Sequence, residues 1–141
     1  MAHKQLFGLK DQLGLVNYQL GEVAKLEAEA PKMDANAPFP VVMSATVVGL
    51  SLKTARNLLQ EAASMIGDEI SFYESTDRRI DEIKATGDDE ATQSTAIEAV
   101  NKEASTREPQ TAGKAAFCMQ TVAAAQIYML KGMEKARSYR S

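Results

Sequence analysis

Few side chains in this sequence could do chemistry, and none of them has the company that chemistry needs. The single histidine, His3, has no second histidine and no nearby cysteine. A transition-metal site or a base with its nucleophile therefore lacks its other members. The single cysteine, Cys118, lies between Phe117 and Met119 on an apolar stretch with no cation beside it. A thiol so placed behaves as a small buried hydrophobe rather than a nucleophile. The run Asp88, Asp89, Glu90 is the one candidate for a hard cation such as Ca²⁺, which takes oxygen ligands. It lacks the alternating acidic spacing and the glycine of a dedicated calcium loop, and acids in a first helical turn serve equally well as caps.

The remaining carboxylates, Asp68, Glu69, Glu74, Asp77, Asp81 and Glu82, lie within helical reach of Arg78, Arg79 and Lys84. That pattern predicts a solvated face laced with ion pairs. A di-iron bundle needs Glu-x-x-His pairs, which a chain with one histidine at position 3 cannot supply. Gly113-Lys114 has neither the preceding glycine nor the preceding strand of a phosphate loop. In the closing stretch, Lys131, Lys135, Arg137 and Arg140 face Glu134 alone, interleaved with Tyr128 and Tyr139. Cations there complement a helix C-terminus, and contact with phosphates or an anionic membrane surface is the alternative. Catalytic and cofactor-binding residues are thus expected to be none, and so is sequence-specific nucleic-acid binding.

What the sequence does state is helix. Leu6, Leu9, Leu13, Val16, Leu20, Val23 and Leu26 recur at steps of three and four, the spacing that lines one helical face. A second ladder runs Val48, Leu52, Ala55, Leu59, Ala62, Ile66, Tyr73, Ile80, Ile83. The first helix is expected over about 4–30, ending before Pro31. Gly14, Gly21 and Ala28 flank its stripe every seventh residue, which is either a place where another backbone comes close or simply tolerated glycine. Residues 31–40 hold three of the four prolines and read as an extended connector. A long helix over about 43–85 follows, with Gly49 and Gly67 as potential breaks. The β-branched residues 45–50 make a short strand the alternative there.

Thr86, Gly87 and Asp88 mark a break near 86–88, with Gly87 as the stop and Asp88 as the next N-cap. A third helix with a thin stripe (Ala96, Ile97, Val100, Ala104) should end at a second break near 106–111, where Pro109 lies. The last helix, about 112–137, is apolar nearly all round in its middle and so should be central or shared between subunits. The expectation is a single all-α domain over 1–141, a bundle of about four helices with a long second one, in which helices can exchange between subunits. At 141 residues, 45% hydrophobic and 25% charged, the chain can bury a core without staples, and one cysteine excludes an internal disulfide framework. No window has the composition of a secretory signal or a spanning helix.

Two stretches resemble the outer nucleocapsid shell protein of the enveloped double-stranded RNA bacteriophages, the cystoviruses: VVGLSL at 47–52 and YMLKGMEKARSYRS at 128–141. They cover under a fifth of the chain, and the N-terminal HKQLFGLKDQLG is less apolar than that family's. The resemblance implies a helical subunit tiling a shell around a polymerase core, among other virion proteins, with calcium as an assembly aid, located in the virion or the host cytoplasm. The reading adopted is a non-enzymatic structural subunit that self-associates. Phe117, Ile127, Leu130, Met133, Arg137 and Arg140 are its candidate assembly residues. The alternative is a cytoplasmic helical adaptor or inhibitor of the immunity-protein kind, binding one protein partner through the acidic middle.

Overall fold

The computed structural model describes residues 2–30 and 36–140, with side chains at 6, 8–30 and 36–137. Among them every regular element is a helix: α1 (Ala2–Glu29), α2 (Phe39–Lys84) and α3 (Glu90–Arg140). Among the described residues there are three helices rather than four, and the long second helix is present. None of them is long and apolar enough to cross a membrane.

Two of the expected boundaries move, for local reasons. The N-terminal part of α2 lies inside the expected connector, of which residues 31–35 fall outside the described residues. Val42 N–H donates to the Pro38 carbonyl at 3.1 Å, so Pro38 acts as the cap. Pro40 then sits in the first turn, where an N–H would have no intrahelical acceptor and its loss costs nothing. The β-branched stretch that could have been a strand is helical, with the Thr46 hydroxyl donating to the Val42 carbonyl at 2.9 Å. Neither Gly49 nor Gly67 interrupts α2.

The larger change is at 106–111, where no break occurs. α3 runs through Pro109, although an interior proline costs about 3 kcal/mol in an ordinary helix. Ser105, whose carbonyl loses its partner, and Pro109 itself are both exposed, so the disrupted rung faces water. At the α2–α3 turn Gly87 adopts φ +78°, which only glycine enters without strain, and the stop at Gly87 is as expected. The cap of α3 is one residue later than expected. Asp89, not Asp88, accepts the Thr92 N–H at 3.0 Å through its carboxylate. The Thr92 hydroxyl first, and then this backbone bond, hold the Asp89 carboxyl below the usual range.

The chain packs as two compact units, each built from segments of all three helices. Unit 1 comprises residues 1–14 and 64–117, unit 2 residues 15–63 and 118–141. Leu9, Ile66, Ile70, Tyr73 and Val100 form the core of unit 1. Val16, Val23, Val48, Leu52, Leu59, Val122 and Ala125 form that of unit 2. Leu13 and Leu20, expected in helix seams, are only partly buried. Gly14 and Gly21 lie exposed with nothing near the position a Cβ would take, so no backbone approaches that flank. The close approach is elsewhere: a Cβ at Gly132 would lie 3.1 Å from Leu52 Cδ2.

Candidate functional site

Two arrangements stand out, one in each unit. In unit 1, Glu69 is fully buried, contrary to the solvated face expected for it. The seven-residue register of α2 explains why: Val48, Ala55, Ala62, Glu69 and Thr76 occupy one heptad position, and all five are buried. Opposite it, Arg107, Thr111 and Lys114 project from one face of α3, spaced four and three residues apart.

Arg107 binds the carboxylate with a two-pronged grip, Nε to Oε2 at 3.2 Å and Nη2 to Oε1 at 3.0 Å. Lys114 Nζ reaches Oε1 at 2.7 Å, and the Thr111 hydroxyl lies 3.1 Å from Oε2. Thr111 has one proton and gives it to the carboxylate, so the Tyr73 hydroxyl, 2.8 Å away, donates to Thr111. The Arg107 guanidinium also lies over the Phe72 ring at 4.6 Å from its centre. Burial pushes the Glu69 carboxyl up, but the bonds from Arg107, Lys114 and Thr111 outweigh it and hold it below the ordinary carboxylate range. Tyr73 is pushed up, chiefly by burial and then by the charges of Glu69 and Glu108.

Such a carboxylate is fully occupied. With each oxygen accepting two bonds it has no lone pair to take a proton from a substrate, and its Arg and Lys partners stabilise the charged form that a general acid must leave. What it does is mechanical: it fastens α2 to α3 on both sides of Pro109, where the helix has lost a rung. Sequence reading misses it because the break expected at 106–111 falls on two of its three α3 partners, Arg107 and Thr111, although the heptad register of α2 already puts Glu69 in the seam.

Unit 2 shows the reverse pattern. Residues 36–52 and 115–130 contain no Asp, Glu, Lys or Arg, and most of both segments belongs to this unit. Along α2, Phe39, Met43, Val47 and Leu50 keep 75%, 47%, 38% and 60% of their surfaces exposed. Along α3, Ile127 and Leu130 are 54% and 56% exposed. Of the expected assembly residues, these two share an exposed face. Phe117 is exposed in unit 1. Met133 is partly buried and with Arg137 lines a groove of about 200 Å³ beside Leu26, Val48 and Leu52. Arg140 lies outside the described side chains.

Among the described residues no three acidic, histidine or cysteine side chains gather to hold a metal ion. Asp88 and Glu90 are exposed, and Asp89 is engaged as the α3 cap. Cys118 is fully buried, and burial raises its thiol pKa. No protein-family model, curated protein or solved structure matches the chain.

Proposed function

We propose that this chain is a non-enzymatic helical subunit that associates with copies of itself, as a shell protein of a virus particle does. The observation that carries the reading is the pair of charge-free, half-exposed apolar faces of unit 2. A helix face without a single charge over about four turns is unusual at a water boundary, and contiguous apolar surface of this kind marks a place where another protein sits. The occupied state of Glu69 and the buried Cys118 supply no reactive group in competition with that reading. The shell is the assembly that the resemblance of residues 47–52 and 128–141 suggests, with exchange of helices between subunits as one way to build it and calcium as an assembly aid.

Sedimentation of the full chain across a concentration series, with and without calcium, tests the proposal. Association should grow with concentration, and Ile127→Asp or Leu130→Asp should weaken it at least tenfold. A parent chain that stays monomeric throughout would remove the self-association reading and favour an adaptor that binds a different protein.

A further inference from the structure

Nearly four turns of α3 lack the apolar packing that holds the rest of the helix. Upstream, Val100 and Ala104 are buried, and downstream Cys118, Val122, Ala125 and Met129 are. Over residues 105–117 no apolar side chain is buried, and Thr111 is the one buried residue of any kind. The same span holds Pro109, which removes the bond to the Ser105 carbonyl, and Gly113, exposed with nothing near the position of a Cβ. Proline and glycine are the two poorest helix formers, so this stretch owes its helical form neither to packing nor to propensity.

The span is also undercut on two sides, both within unit 1. Thr106, Arg107 and Gln110 border an open groove of about 560 Å³ beside Phe72. Glu108, Thr111, Ala112 and Ala115 border another of about 220 Å³ beside Leu9. At about 100° per residue the two sets fall on opposite flanks of α3, and the strip between them is the one that reaches Glu69.

We infer that residues 105–117 are a strap that opens and closes as a unit while the rest of unit 1 stays folded, with the Glu69 carboxylate as its clasp. Arg107 before Pro109, and Thr111 and Lys114 after it, all end on the same two oxygens, so releasing them frees both halves of the span at once. Segments with few buried apolar contacts are the ones that open locally, at a free energy below that of global unfolding. In the open form Arg107 leaves the Phe72 ring and Thr111 leaves the Tyr73 hydroxyl. Unit 1 then presents the edge-to-face pair of Phe72 and Tyr73 together with a carboxylate that the closed form covers. The strap does not depend on whether copies associate.

Hydrogen exchange of the full-length chain, read peptide by peptide by mass spectrometry, tests the strap. In the parent, residues 105–117 should exchange faster than residues 64–73 and 118–129. Low concentrations of urea should leave the rate at 105–117 unchanged while speeding the other two, because opening the strap exposes little surface. Glu69→Gln removes the charge and keeps the shape. It should raise exchange at 105–117 roughly tenfold or more relative to the other two segments, the loss of one charge-assisted bond. Adding Pro109→Ala to that variant returns the backbone bond and should recover most of the protection. Three results overturn the strap: exchange at 105–117 no faster than at 118–129 in the parent, an equal rise across all three segments in Glu69→Gln, or a double variant that exchanges at 105–117 as fast as Glu69→Gln alone. The measurement on the parent decides by itself if Glu69→Gln does not fold.

Discussion

Where α2 meets α3 in unit 1, a core position is given to a carboxylate; where the same helices meet in unit 2, a leucine packs against bare backbone. Glu69 is held by Arg107, Thr111 and Lys114, three side chains that reach it across the seam. Leu52 packs so close to Gly132 that a Cβ there would lie 3.1 Å from Leu52 Cδ2. The first seam is specified by direction, since charge-assisted bonds accept only one register. The second is specified by size, since only a residue without a side chain lets the backbone in. The first also coincides with Pro109, where the backbone of α3 cannot supply its own bond, and the second with a stretch of α2 that carries no charge at all.

The strongest way to break this contrast is at Glu69. Glu69→Ala should cost about 4 kcal/mol, because Arg107 and Lys114, each about 70% buried, would be left facing one another without their counter-charge. Urea unfolding measures it. Replacing all three together, Glu69→Leu with Arg107→Leu and Lys114→Met, should restore most of the loss, as apolar groups can fill the same volume without a desolvation penalty. A triple variant no more stable than Glu69→Ala would mean that the cluster contributes through its specific bonds and not merely by being paired.

A smaller effect separates the glycines. Gly132→Ala should lower stability by about 1 kcal/mol, since the new methyl group must displace the buried Leu52 side chain. Gly14→Ala and Gly21→Ala should raise it by about 0.5–1 kcal/mol each, since both are exposed with open space around them. Thermal unfolding of the three variants reads both signs, and a gain at Gly132 would show that the α2–α3 seam of unit 2 is looser than the 3.1 Å approach implies.

The cluster also gives unit 1 a pH signature. The Glu69 carboxyl is lowered in the folded chain, so it releases its proton more readily there than in the unfolded chain. Its contribution is therefore complete above the ordinary glutamate value of about 4.3 and is lost as pH falls through the lower folded value. Charged groups facing it are Arg107, Lys114 and, by way of Tyr73, Glu108 on α3; α1 offers the uncharged Gln12 beside Thr111. Tyr73 is raised, so its contribution is whole below about 10 and is lost as pH rises beyond that. Stability measured against pH should fall at both extremes, and Glu69→Gln should flatten the acid limb. An acid limb of unchanged slope in that variant would assign it to other carboxylates.

The sequence alone determined that the chain is helical, because apolar spacing of three and four is a property of the helix repeat and needs no partner to be seen. It also located the turn at Gly87, since a positive φ is a demand on one residue, and the apolar character of residues 115–130, since composition is local. It misplaced the break at 106–111. Proline and its polar neighbours are read as helix ends by local rules, whereas what carries α3 through them is a carboxylate some forty residues away in the chain. Tertiary structure likewise decided which glycine matters, because closeness to Leu52 is a fact about α2 that the residues around Gly132 do not contain. Local chemistry fixes what each segment can become; only packing fixes which groups are paired, and pairing is what turns Glu69 from a surface charge into part of the core.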